Sequence, residues 1–146
     1  MIRRFGQPPK TDRSYTLRPG VYAIIRRGQE LLLTFQQEPD AELQLPGGGI
    51  DAGESPLAAL HREVYEETGW TISRPRRIGA FRRFVYMPEY DLWAEKLCTI
   101  YTAAPGLRLG PPTEPLHSAH WVTIEAAAQR LGNSGDRYFA GLLGRA

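Results

Sequence analysis

The chain has 146 residues, with 18 Lys and Arg against 16 Asp and Glu for a formal charge of +2, and a single cysteine, Cys98. That length suits one folded unit able to bury roughly two-thirds of the surface its unfolded form exposes. A charge so close to neutral gives no support to a nucleic-acid or membrane-surface partner, and one cysteine excludes an internal disulfide and leaves no Cys/His pattern for zinc. No run approaches the roughly 20 apolar residues of a membrane span, and the basic start MIRRFGQPPK leads into no apolar stretch, so a cytoplasmic, reducing setting is expected. All basic residues but Lys10 and Lys96 are arginine, several in adjacent pairs such as Arg26-Arg27 and Arg82-Arg83. Arginine's planar fork suits phosphate oxygens, although a bias running through a whole chain also follows from genome composition.

Residues 1–13 mix Pro, Gly, Gln and charge without period and are expected to form an arm or tail, with one domain over 14–146. GVYAIIRR (Gly20 to Arg27) and ELLLTFQQ (Glu30 to Gln37) predict two strands joined by a Gly28-Gln29 hairpin turn. LQLPGG predicts a short strand entering a glycine turn. A helix follows: Ser55 as N-cap, Pro56 at the first helical position and Gly69 just past the end bracket it, with Leu57, Leu60 and Val64 as the docking stripe. RRIGAFRRFVY (Arg76 to Tyr86) and KLCTIYTAA (Lys96 to Ala104) predict strands joined by the loop MPEYDLWAE. LRLGPPTEPLHS predicts a long loop, and long loops in compact domains are more often functional than idle. A last strand, HWVT, and helices over IEAAAQRL and near DRYFAGLLG complete an α/β pattern with a mixed sheet between helices.

The chemistry concentrates in the first helix. Glu63, Glu66 and Glu67 stand at i, i+3 and i+4, which places their carboxylates on one helix face, away from the apolar stripe. Like charges at that spacing cost roughly 0.2 to 0.5 kcal/mol per exposed pair, and only Arg62 lies among them. A hard divalent cation removes that cost. Oxygen ligands favour Mg²⁺, which keeps waters and completes its shell with substrate phosphates, and Mn²⁺ can substitute. Upstream, LPGGGIDAGE supplies backbone that can approach a charged group closely, and its Glu54 can lean toward the helix or toward Arg62.

The spacing of these residues carries a resemblance. Gly48, Glu54, Arg62, Glu63, Glu66, Glu67 and Gly69, with Val64 and Trp70 at the two apolar positions, match every fixed position of the signature of the Nudix hydrolases. Seven fixed letters at average usages near 6% coincide by chance less than about once in 10⁸ starting points. The resemblance implies an α/β/α sandwich with a mixed sheet, and Mg²⁺-dependent hydrolysis of a phosphoanhydride in a nucleoside diphosphate linked to another group, releasing a nucleoside monophosphate. It further implies Glu63, Glu66 and Glu67 as metal carboxylates, a backbone carbonyl at Gly48 as a further ligand, and Arg62 with Glu54 as a supporting ion pair. Polyphosphates are anionic and resist attack by water, so charge neutralisation and a positioned base are both needed. Glu63 and Glu67 are candidates for that base, and so is Glu114 in the loop before HSAHWV. His117 and His120 flank that loop, and His61 falls at a free position.

The substrate is less legible. Nucleobases stack on aromatic rings, which makes Phe35, Phe81, Phe84, Tyr86, Tyr90 and Trp93 candidates, with Arg26, Arg82 or Arg83 for phosphates; strand aromatics are more often packing. Family members acting on dinucleoside polyphosphates tend to carry a tyrosine sixteen to eighteen residues past the box, where Tyr86 stands here, and those acting on ADP-ribose a proline near sixteen, where Pro88 is two residues late. Nucleoside triphosphates and dinucleoside polyphosphates therefore rank above ADP-ribose and nucleotide sugars. A binding module of the same fold, an isoprenoid diphosphate isomerase and an RNA-processing enzyme are the competing classes. The intact glutamate set argues against the first, the lack of an activating partner for Cys98 against the second, and the absence of a basic run against the third. A small nucleotide is the expected partner, with a homodimer left open.

Overall fold

The computed structural model describes residues 2–144. Among the described residues eight strands and three α-helices follow in the order β1 (Arg3–Arg4), β2 (Thr16–Arg27), β3 (Glu30–Gln36), β4 (Glu42–Gln44), β5 (Gly47–Gly49), α1 (Pro56–Thr68), β6 (Trp70–Met87), β7 (Leu92–Arg108), β8 (His117–Thr123), α2 (Ile124–Arg130) and α3 (Ser134–Leu143). A 3₁₀ turn at Pro88–Tyr90 separates β6 from β7.

The long β2 organises the sheet. It lies parallel to β7 from Thr16 opposite Ala94 to Ile25 opposite Ala103, and antiparallel to the glycine strand β5 on its other side. β6 runs antiparallel along the outside of β7, and β1 adds a parallel edge at Phe81 and Arg82. At its far end β2 turns through Gly28, whose φ of 60° suits the hairpin, into β3, which carries β4 on one side and β8 on the other.

Strand alternation divides the interior in two. Val21, Ala23 and Ile25 face α1 and pack with Leu60, Val64, Ile72 and Tyr101. Ile24, with Phe81, Cys98 and Ile100, faces the other way and packs with Ile124, Leu131 and Phe139 beneath α2 and α3. This is the expected α/β/α sandwich with a mixed sheet, both faces of which are covered by helices.

Three local expectations change. β2 and the pair β6–β7 are longer than their apolar runs, and most of MPEYDLWAE is strand while only Pro88–Asp91 turns. The stretch at the start of the chain is held against the sheet: Arg3–Arg4 pair with β6, Phe5 N–H donates to Arg82 O, the Phe5 ring meets Phe81 edge-on, and Arg13 lies over the Trp93 ring. In α1, Leu57 is exposed, and the buried stripe is Ala59, Leu60, Val64, Glu67 and Thr68. Leu60, Val64 and Glu67 stand at i, i+4 and i+7, so the apolar stripe continues into the acidic set and takes one carboxylate inside.

Candidate functional site

Helix α1 starts and stops where its sequence signals say. Ser55 Oγ accepts from Ala58 N–H at 3.2 Å, Pro56 opens the first turn, and Gly69 closes the helix at φ 78°. Its acidic residues then meet three different surroundings. Glu67, only 7% exposed, accepts from Gly47 N–H at 3.0 Å through Oε1 and lies 3.8 Å from His117 Nε2 through Oε2. Glu63 lies against the glycine strand. A Cβ placed on Gly48 would fall 2.6 Å from its carboxylate. Glu66 turns toward Arg62, while its backbone oxygen receives the N–H groups of Thr113 and Glu114.

Arg62 is the hub of the polar cluster. Its Nε and Nη2 hold Glu54 at 2.7 and 2.9 Å, its Nη1 reaches Glu63 at 3.0 Å and Glu66 at 3.3 Å, and Nη2 also donates to Gly49 O. The guanidinium beside Glu54 holds that carboxyl down at about 2. Burial pushes Glu63 and, more strongly, Glu67 upward, against the Arg62 hydrogen bond in the first case and the Gly47 N–H in the second. The helix therefore carries two poorly solvated carboxyls, Glu63 with Arg62 as its cation and Glu67 with no arginine or lysine among the described residues beside it.

A third element braces them. Thr34 Oγ1 lies 2.8 Å from His117 Nδ1 and donates to Glu67 O at 3.4 Å. Burial lowers the His117 pKa, opposed by Glu114. The loop after β7 thus brings Glu114 and His117 to the end of α1 that holds Glu63 and Glu67. His120 instead pairs with Ser118, exposed on β8, and His61 is exposed on α1.

The carboxylates open into a cavity of about 650 Å³ that passes over the side-chain-free β5 to the far face of the sheet. Gly47 to Ala52, Glu63 and Glu67 form one end. Arg18, Tyr22, Lys96, Cys98 and Arg83 from β2, β7 and β6 line the sheet wall, and Asn133 and Asp136 at the start of α3 line the opposite wall. Asp136 is 3% exposed, and burial pushes its carboxyl up to about 6 despite Arg83 nearby.

The aromatic and basic residues expected at a ligand distribute differently. Alternation along β6 turns Arg83 and Met87 to the cavity and Arg82, Phe84 and Tyr86 to the other face. There Arg82 pairs with Glu95 at 3.5 Å, the Tyr86 hydroxyl bonds Asp91, and Tyr15 packs edge-on against Phe84 and Trp93. Arg26 spends its Nε on Gly28 O in the hairpin, and Phe35 sits on β3 opposite Leu43 and Ser118; neither lines the cavity. Phe81 is core. Of the expected set, Arg83 and Tyr90 line the cavity. Nothing in the sequence singles out Arg18, Tyr22, Lys96, Asn133 or Asp136. The period-two sets Arg18/Gly20/Tyr22 and Lys96/Cys98 meet only once the β2–β7 register is known.

The residues 16–142 match the family model of the NUDIX domain. The chain belongs to the Nudix family. Among its relatives is an RNA pyrophosphohydrolase of Mesorhizobium japonicum, 44% identical in an alignment of 70 residues that covers 41% of this chain and 40% of that protein. Another is a putative 8-oxo-dGTP diphosphatase of Bacillus subtilis, 31% identical over 74 residues, 51% of this chain and 50% of the relative. The chain thus spans half or less of the length of these relatives. Among solved structures, a MutT protein of Bacillus halodurans superposes with a TM-score of 0.69 at 22% identity, over 85% of this chain and 80% of that one, which is a likeness of fold.

Nudix hydrolases generally use a divalent metal, and the residues here fit one. Gly48 leaves space beside the Glu63 carboxylate, Glu63 and Glu67 offer hard oxygen donors, and burial disfavours the charge of both in the absence of a further cation. As the side chains stand, no three His, Cys, Asp or Glu among the described residues converge on one point. Arg62 Nη1 occupies the space between Glu63 and Glu66. No helix among the described residues is long and apolar enough to cross a membrane.

Proposed function

We propose that the protein is a metal-dependent pyrophosphohydrolase that attacks a phosphoanhydride of a nucleoside triphosphate or dinucleoside polyphosphate with water, releasing a nucleoside monophosphate and the remaining phosphates. The observation that carries this reading is the meeting of Glu63, Glu67 and the glycine strand at one end of a cavity of nucleotide size. The names of the two relatives, a pyrophosphohydrolase and a diphosphatase, point the same way.

Glu63 and Glu67, with Glu66 once released from Arg62 and the backbone at Gly48, would hold Mg²⁺ or Mn²⁺. A divalent ion there supplies positive charge to phosphate oxygens and acidifies water. The chain's own residues do the rest. Arg62 fixes Glu54 and the entry loop, so that the glycine backbone keeps its distance from the Glu63 carboxylate. Thr34 bonds the Glu67 backbone oxygen from behind, and His117 packs beside the Glu67 carboxyl. The proton lost by the attacking water goes to a carboxylate at this end: Glu63 or Glu67 in the cavity, or Glu114, whose N–H is tied to Glu66 O beside them. The nucleoside extends along the cavity toward Tyr22, Asn133 and Asp136.

The test is product analysis with Mg²⁺ on a panel of normal and oxidised nucleoside triphosphates, diadenosine polyphosphates, 5′-triphosphorylated RNA, ADP-ribose, nucleotide sugars and an isoprenoid diphosphate. Metal-dependent release of a nucleoside monophosphate supports the reading, and turnover confined to pyrophosphate release from the RNA end replaces it with the RNA-processing class. Binding without turnover across the panel replaces it with a binding module of the same fold. Separately, the pH profiles of Glu67→Gln and Glu114→Gln identify the base, because its loss flattens the acid limb.

A further inference from the structure

The sheet wall of the cavity carries a row of three cations. Arg18 on β2 stands directly opposite Lys96 on β7, and Lys96 directly opposite Arg83 on β6. Residues in direct register on neighbouring strands point to the same face, and all three line the cavity. Like charges directly across a strand pair destabilise a sheet, and here two such pairs share one lysine. Among the described residues no carboxylate lies within 4 Å of any of the three. The Arg18 guanidinium instead rests 4.8 Å from the Tyr90 ring, and burial together with Arg83 pushes the Lys96 ammonium down. The carboxyl facing the row across the cavity, Asp136, belongs to α3 and is itself pushed up by burial.

The position of the row separates it from the acidic end. Gly49 on β5 pairs with Gly20 on β2, two residues along from Arg18. With strands about 4.8 Å apart, the row starts one strand from the glycine turn and ends at β6, about 14 Å away across the sheet. A phosphoanhydride seated at Glu63 and Glu67 therefore leaves Lys96 and Arg83 beside the nucleoside portion of the ligand.

We infer that Arg18, Lys96 and Arg83 form a second anion subsite, so that the preferred substrate carries a further phosphate on its ribose besides the 5′-polyphosphate that is cleaved. This rests on the reading that cleavage occurs at Glu63 and Glu67. That phosphate comes either as a 3′-phosphomonoester or as the phosphodiester to a following nucleotide, and both present the same oxygens to guanidinium and ammonium groups.

The experiment compares kcat/KM for a nucleoside 5′-triphosphate, the same compound with a 3′-phosphate, and the corresponding 5′-triphosphorylated dinucleotide. The extra phosphate is expected to raise kcat/KM at least tenfold, mainly through KM, and to do so less at high salt. A gain for both compounds assigns the subsite to any phosphate, and a gain for the dinucleotide alone assigns it to the diester. The double variant Lys96→Gln, Arg83→Gln is expected to lose at least ten times more on the doubly phosphorylated compounds than on the plain triphosphate. Equal kcat/KM for all three with the wild-type protein, or equal losses in the variant, overturns the inference while leaving the hydrolase reading in place. If none of the three is cleaved, the nucleoside triphosphate part of the hydrolase reading fails, and calorimetry with adenosine 3′,5′-bisphosphate still decides the subsite: binding weakened at least tenfold by the double variant supports it, and binding unaffected by it, or no binding, overturns it.

Discussion

At the scale of single residues, the site depends on one missing atom. Gly48 has no Cβ, and the Glu63 carboxylate lies 2.6 Å from where that atom would be. Gly48→Ala should therefore displace Glu63 and lower metal-dependent turnover by about tenfold or more, a loss from misplaced geometry rather than lost chemistry. Steady-state kinetics beside a thermal melt checks it; full activity in a folded variant would show that Glu63 need not sit against the strand. Glu67 offers the complementary case. Its carboxyl is nearly buried, and burial disfavours its charged form. Glu67→Gln keeps the shape and can still accept from Gly47 N–H through its amide oxygen, while removing the charge. Turnover with Mg²⁺ should fall by about a hundredfold or more, while metal-free stability stays level or rises. Wild-type turnover in this variant would remove Glu67 from the proposed machinery.

At the scale of elements, α1 is where local signals and long-range packing divide the work. Its ends are legible because caps are local chemistry: a hydroxyl accepting from Ala58 N–H and a glycine at positive φ are properties of neighbours in the chain. Ser55→Ala should cost about 1 kcal/mol, read as a lowered denaturant midpoint with an unchanged slope, and a neutral result would mean that docking alone holds the first turn. The phase of its buried face is less legible. Leu57 fits an apolar stripe by spacing yet is exposed, and Glu67 is charged yet lies inside, because the sheet beneath decides which face of the helix meets protein. The same limit explains Arg82 and Tyr86 beside Arg83. Period two separates the faces of β6, but only the β6–β7 register and the placing of α3 say which face looks into the cavity.

At the scale of the whole molecule, the alternation of strands and helices and the signature over Gly48 to Trp70 made the sandwich and its acidic end legible, whereas the other wall of the cavity was assembled from segments far apart in the chain. Asp136 belongs to that wall: α3 carries it beneath the sheet, near Arg83 and Lys96, where its Oδ2 accepts a long 3.5 Å bond from Leu45 N–H and the Asn133 side chain lends it further polar contact. This arrangement has a consequence for stability against pH. The carboxyl is raised to about 6 in the folded protein, from an ordinary value of 3.8. An acid raised by folding binds its proton more tightly in the native state, so between those two values the native state holds more protons than the unfolded chain and stability falls as pH rises. Below about pH 4 both states are protonated and the penalty is absent, whereas above about pH 6 it is fully expressed. A separation of about two pH units corresponds to roughly 3 kcal/mol. Asp136→Asn keeps the shape and removes the ionisation, so its stability relative to the wild type should climb through that window, from near equality at pH 4 toward roughly 3 kcal/mol at pH 7, in the absence of ligand. Denaturant unfolding of both proteins at pH 4, 5, 6 and 7 measures the difference directly, and it cancels the contributions of Glu63 and Glu67 that both proteins share. A difference that stays constant with pH would mean that Arg83 and Lys96 hold Asp136 ionised throughout, as a buried counter-ion rather than as a neutral acid.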